Sequence, residues 1–217
     1  MIQLPTYNEN MAYKLCRNNF KGGVNMLAEQ LSFRELYGRL WLIGIAGRGI
    51  SEAGYAVCYC CIGRTQLSFE VLGFADSDGN GGFAVCRDLA PAGMRFTWAE
   101  FSGASAEPAD KKLYSIFAER IGHINKSSCG ELEKVRKIRL IDRCRDRNCP
   151  DNVTVMLIKR GQNAEICRAR CESISGGRIR GRLLNEPPEG FSVHKNDTIE
   201  FGLIDQNGSV ICLAECG

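Results

Sequence analysis

The chain is poor in histidine, a residue that catalysis and metal binding draw on heavily. It holds two histidines in 217 residues, His123 and His194, and its one Cys-x-x-Cys spacing, Cys58 to Cys61, lies inside an apolar run. A structural zinc site needs a set of Cys or His ligands, commonly as closely spaced pairs, and a nucleophilic cysteine needs a base and an orienting group. Cys129 and His123 come nearest to the second pattern, with no elbow or oxyanion motif around them. A serine triad, a paired-carboxylate sugar site and a phosphate loop are all missing as patterns. Long apolar runs are missing as well. The longest, Leu40 to Ala46, is far short of the ~20 residues a membrane helix needs. Residues 1–20 contain no basic start followed by an apolar stretch, so no signal peptide is legible. Internal repeats and low-complexity linkers are absent. Together these absences point to a soluble, cytoplasmic chain with no membrane segment, no cofactor and no metal, and they lean away from an enzyme.

What remains is ordinary globular material with two excesses. Hydrophobic residues make up 44% and charged residues 24%, enough for a packed core. Formal net charge is +3, too small to imply a nucleic-acid partner, so any such claim rests on local clustering. The first excess is cysteine, twelve in all. Most lie in apolar runs such as Tyr55 to Cys61, where a reduced thiol packs as a small hydrophobe. Cys144/Cys149, Cys167/Cys171 and Cys212/Cys216 leave a four-thiolate zinc site as an alternative. Against it, residues four apart on a strand are about 13 Å apart.

Two segments imitate ligand loops. Asp76-Ser-Asp-Gly-Asn-Gly81 follows the first half of a calcium loop, but the position of the bidentate Glu falls on Arg87, so it reads as a hairpin loop. Gly44 to Gly49 has the wrong glycine order for a dinucleotide fingerprint and no Lys-Ser/Thr behind it, so it reads as a Gly-rich turn.

Ser32-Phe-Arg-Glu35 forms a capping box, with Leu31 and Leu36 placed as a hydrophobic staple, and predicts a short helix over 33–38. Strand-like runs follow at 40–46, 55–61, 67–74 and 82–87, with 94–98 as a further candidate. The middle turns helical. Pro108 suits a first helical position, Leu113 to Ile121 keep helical spacing, and Gly122 stands as a stop; Ser128 and Glu131 make a second capping box. Asn148 to Asn152 is a turn cluster and the best domain boundary. Beyond it come five strands, 153–159, 165–174, 178–184, 198–204 and 210–214, the last two joined by Asn207-Gly208. The expected class is α+β. A mixed N-terminal domain with a helical connection covers 1–150, and a small antiparallel barrel-like domain covers 151–217.

The second excess is arginine. Arg143, Arg145 and Arg147 form one cluster. A three-residue Ser175-Gly-Gly177 loop would pair Ile174 with Arg178, Glu172 with Arg180 and Arg170 with Arg182. That register puts Arg168, Arg170, Arg178, Arg180 and Arg182 on one face, relieved by Glu172, with Cys167, Ala169, Cys171, Ile179, Gly181 and Leu183 on the other. Neighbouring like charges cost stability. The stripe is therefore either a solvated face neutralised from elsewhere or a site for an anionic partner. No aromatic side chain interleaves it, as single-strand binding would use. This favours an acidic protein surface, with nucleic acid as the alternative and a thiol- or zinc-dependent enzyme as a third reading.

The segment from Cys167 to Pro187, with Gly181-Arg-Leu-Leu-Asn-Glu-Pro187 at its centre, and then Lys195-Asn-Asp-Thr-Ile-Glu-Phe201, resembles the bacterial family called domain of unknown function 2314. The resemblance covers about 152–204. The family pattern has an aromatic where Ile166 and Cys167 stand, a Gly where Asn196 stands, and an acidic-aromatic ending that this chain lacks. The resemblance implies a small β domain and carries no catalytic residue.

Overall fold

The computed structural model describes residues 26–27, 30–63, 65–79, 82–126, 130–206 and 209–216. It is an α+β structure built from a seven-stranded sheet and a closed five-stranded barrel, with short helices.

Local signals fix the first elements. The Ser32 hydroxyl accepts the Glu35 N–H, and the Glu35 carboxylate accepts the Ser32 N–H, so the capping box closes on helix α1 (Phe33–Leu36). Leu31 and Leu36 are both buried in one cluster, as the staple requires. Four predicted runs and the further candidate become β2 (Leu40–Gly44), β3 (Tyr55–Gly63), β4 (Gln66–Ser77), β5 (Phe83–Leu89) and β6 (Arg95–Thr97). Two strands escaped the pattern: β1 (Met26–Leu27) and β7 (Ser105–Pro108), which lies between β1 and β2. The Asp76 segment runs from β4 into the β4–β5 hairpin, where the Gly82 N–H donates to Asp78 Oδ1 at 2.9 Å.

The helical middle starts later than Pro108 suggests. Pro108 ends β7, opposite Trp41, because a strand end tolerates a residue with no N–H. Asp110 is the true cap: its Oδ1 accepts the Leu113 N–H at 2.9 Å and opens α2 (Lys111–Ile116). Gly122 lies inside α3 (Ala118–Lys126) and does not end it. The second capping box depends on Ser128, which is outside the described residues, as are Cys129, Asn207 and Gly208.

Strand β3 is buried on both faces. Ala56, Cys58 and Cys60 join a cluster with Trp41, Phe69 and Phe101. Val57, Tyr59 and Cys61 join another, covered by Leu113 and Phe117 at the helices. The period-2 alternation of a strand thus feeds two cores at once.

The barrel contains β8 (Asn152–Ile158), β9 (Glu165–Ser175), β10 (Arg178–Leu183), β11 (Thr198–Gln206) and β12 (Ser209–Glu215), closed by pairing β12 with β8. The strands match the sequence reading closely, but the ring is not wholly antiparallel. Cys212 to Glu215 run parallel to Val155 to Ile158. Parity requires this: in an up-and-down run of five strands, the first and last point the same way. Helix α4 (Gly130–Arg136) and the 3-10 turn Leu140–Cys144 send Val135 and Ile141 into the barrel's apolar core, and Leu132 and Ile138, the latter between the two elements, pack against it.

Charged side chains tie barrel and sheet together. Arg136 is buried and forks onto Asp151, also buried, with Nε–Oδ1 at 2.9 Å and Nη2–Oδ2 at 2.6 Å. Its Nη1 reaches Tyr37 Oη at 3.1 Å, beside α1. Arg34 in α1 forks in turn onto Asp142, at 3.1 and 2.7 Å. No helix among the described residues is long and apolar enough to cross a membrane.

Candidate functional site

Strands β9 and β10 form an amphipathic hairpin whose two faces separate by residue type. Cys167, Ala169, Cys171, Ile179, Gly181 and Leu183 are buried, whereas Arg168, Arg170, Arg178, Arg180 and Arg182 are exposed. The hydrophobic effect selects this arrangement, because a one-residue slip would exchange every side chain between core and solvent.

The register within the hairpin differs from the sequence reading near the turn. Arg182 pairs with Arg170 as expected, but Arg178 pairs with Ser175, Ile179 with Ile174 and Arg180 with Ser173. The turn has two residues, Gly176 and Gly177, with φ of 56° and 78°, the left-handed pair that a tight hairpin turn demands. The ladder then shifts between Arg180 and Gly181, passing over Glu172 as a β-bulge. The bulge reverses the alternation of β9, so Ile174 turns inward beside Ile179. Gly181 sits at the shift because a Cβ there would come within 2.7 Å of the Arg170 carbonyl oxygen.

Five guanidinium groups on this face meet two carboxylates. Arg182 Nε bonds Glu172 Oε1 at 3.0 Å. Glu200, exposed on β11, stands directly opposite Arg180. Sequence reasoning found Glu172 and missed Glu200, because the β10–β11 register runs through a long loop with no turn signal. The remaining arginine contacts are neutral. Arg170 Nε approaches Asn152 Oδ1 at 3.4 Å, and Arg178 Nη2 donates to the Glu200 carbonyl at 3.2 Å.

The second predicted cluster divides. Arg145 is turned inward, its side chain 2% exposed, bonding Asp142, the Pro150 carbonyl at 2.6 Å and the Val135 carbonyl at 2.9 Å. Its guanidinium also lies over the Phe33 ring. It joins α1, α4 and the barrel rather than the outer face. Arg143 and Arg147 are exposed, and Arg147 stacks over Trp98.

The loop from β10 to β11 is tied to the arginine strands. Asn185 Oδ1 accepts the Arg168 N–H at 2.7 Å, and Arg182 Nη1 donates to the Asn196 carbonyl at 3.0 Å. Glu186 accepts the Lys195 N–H at 2.8 Å and lies 2.7 Å from His194 Nδ1. These contacts hold the Glu186 carboxyl below its ordinary range and raise His194. Asn196 has φ 74°, a left-handed conformation that Asn and Gly adopt most readily.

No disulfide joins the ten described cysteines, and among the described residues no group of three or more His, Cys, Asp or Glu is placed to hold a metal ion. Cys167 and Cys171 point inward along β9, and burial pushes the Cys171 thiol up to about 12. The Cys144 thiol donates to the Val210 carbonyl at 3.4 Å where the Leu140–Cys144 turn meets β12.

Comparisons with protein-family models, with curated proteins and with solved structures give no match. Fold and face together define an α+β protein whose closed five-stranded barrel carries an arginine-rich outer hairpin.

Proposed function

We propose that the chain is a non-enzymatic interaction protein that binds an acidic macromolecular partner through the outer face of β9 and β10. One observation carries the reading: five exposed arginines share a two-stranded face with only Glu172 and Glu200 to offset them. Like charges on adjacent strand positions cost free energy, and an anionic partner would offset that cost on binding. The exposed neighbours on these strands include Ile166 but no aromatic ring, so base stacking has no platform there and a protein surface is the better fit. In this reading residues 151–217 are the binding unit and 1–150 its support. The protein works in the cytoplasm, where its thiols stay reduced. The barrel is a bacterial module of the domain of unknown function 2314 kind, with Asn196 in the left-handed position that the family's Gly would occupy. A regulatory or immunity role belongs to the same class.

The test replaces Arg168, Arg170, Arg180 and Arg182 by Glu in the full chain, with circular dichroism to confirm folding, and measures binding to poly-L-glutamate and to duplex DNA. Wild type should retain poly-L-glutamate and the variant should lose it. Equal retention by both would overturn the reading. Preference for DNA, with affinity falling steeply as salt rises, would move the assignment to nucleic acid.

A further inference from the structure

We infer that the acidic partner carries large apolar side chains between its carboxylates, and that these seat on an apolar row across the outer face of β12, β8 and β9, beside the arginine hairpin. β9 and β10 are the binding face on the reading above, on which this step rests, and the row selects the kind of acidic segment they take. Side chains alternate between core and outer face along each strand, so the cross-strand register fixes which residues share the outside. Ile166 on β9 stands opposite Met156 on β8, and Met156 stands beside Leu213 on β12. Ile211, two residues before Leu213, stands opposite Ile204 on β11. Among the described residues, none of these five belongs to the apolar clusters of the sheet or the barrel. Ile166 is 67% exposed and Ile204 41%. Gly202, opposite Leu213, leaves open space beside it, where an added Cβ would meet nothing within 4 Å.

A single exposed isoleucine needs no explanation, but a contiguous apolar patch rimmed by polar groups marks an interaction surface. The rim here is cationic on two sides. Arg168, opposite Thr154, follows Ile166 by one outward step of about 7 Å, and Arg170 follows by a second. Past the other end of the row, Ile158 and Glu215, themselves strand partners, line a cleft of about 700 Å³ with Lys159, Arg160 and Cys216. Glu215 is the carboxylate in that lining, against two cations. An acidic segment with an apolar centre matches this order. Its carboxylates would meet Arg168 and Arg170 on one side and Lys159 and Arg160 on the other, while its centre covers the row. A second copy of the chain fits poorly, because it would bring a second set of arginines to the same contact. A lipid surface fits poorly as well, since the row has no Trp or Tyr, the side chains that anchor proteins at a bilayer interface.

The experiment measures fluorescence anisotropy of two labelled peptides of equal charge, Glu-Glu-Asp-Leu-Phe-Leu-Asp-Glu-Glu and Glu-Glu-Asp-Gly-Ser-Gly-Asp-Glu-Glu, titrated with the full chain. The first should bind about tenfold or more tightly than the second, because each apolar side chain seated on the row leaves water. Ile166→Thr combined with Met156→Thr, which puts β-branched residues on both strands, should bring the first peptide down to the affinity of the second. Equal binding of the two peptides by wild type would overturn the inference and leave the arginine reading standing. Binding of neither would also overturn it, with retention of poly-L-glutamate still deciding the arginine reading. Dimerisation of wild type that is lost in the variant would assign the row to a second copy, and preference for phosphatidylglycerol vesicles over the first peptide would assign it to a lipid surface. Either result would overturn the inference. The wild-type comparison decides the matter even if the variant fails to fold.

Discussion

Arg170 on β9 and Arg182 on β10 are direct cross-strand partners, and their guanidinium groups turn away from each other. Arg170 reaches toward β8, to Asn152, while Arg182 reaches toward the start of β11, to the Asn196 carbonyl, and to Glu172. The pair is held apart by outside acceptors rather than relieved by a charge between them. Replacing Arg170 with Glu should therefore stabilise the free protein by about 0.2–1 kcal/mol, since an opposed like-charge pair becomes an opposite-charge pair. The same change should weaken poly-L-glutamate binding. Urea denaturation and a binding titration on one sample test both; a lower urea midpoint would refute the charge argument.

Gly181 gives a second test. Its missing Cβ lets β10 approach the Arg170 carbonyl at the bulge, with the Phe201 ring 3.2 Å from where a Cβ would stand. Gly181→Ala should destabilise by about 1–3 kcal/mol, the range for overpacking a tight interior. The lowered urea midpoint should come with chemical-shift changes centred on β9 and β10.

The Arg136–Asp151 fork is a third. Both side chains are buried, and Arg136 also bonds Glu133. Asp151→Ala leaves a buried guanidinium short of its partner and should cost about 3–5 kcal/mol. Replacing both residues with apolar side chains of similar volume should cost less than the single change. A double replacement that costs more would show that the pair contributes beyond charge compensation.

The loop tie has a pH window. Glu186 is lowered from 4.5 by the Lys195 N–H and then by His194, so its contribution is present above 4.5 and fades as pH falls through its folded value. His194 is raised from 6.5 by Glu186, so its contribution is complete below 6.5 and fades as pH rises through its folded value. Hydrogen-exchange protection of the Lys195 amide, corrected for intrinsic rate, should peak between these two values. An NMR titration of His194 should give a midpoint above 6.5 that falls toward it in Glu186→Gln. A wild-type midpoint at or below 6.5 would contradict the contact.

The arginine face was legible because it depends on the cheapest information in a strand, the alternation of polar and apolar residues. Burial enforces that alternation on β9 and β10 whatever the turn does. The turn itself was misread because Ser175-Gly-Gly177 supports both a three-residue and a two-residue hairpin. A bulge at Glu172 absorbs the difference, so Arg170 and Arg182 still meet. Arg145 looked like its neighbours Arg143 and Arg147 because a short run of basic residues does not reveal which carbonyls lie in reach. Its ties to Val135 and Pro150 exist only once α4 and β8 are in place. Strand β7 was hidden because Ser105-Ala-Glu-Pro108 has no strand composition, and its place is set by β2 and β1 on either side.

The seam between β8 and β12 sets a timetable. The first and last strands of the barrel are its closing partners, so local hairpins can form early but the ring cannot shut until residues 209–215 are available. Until then β8 and β11 each present a row of unpaired backbone groups, the condition in which strands recruit one another between molecules. Closure across such a sequence separation is also slow relative to hairpin formation. The barrel's most vulnerable moment is therefore during synthesis, before its last strand arrives.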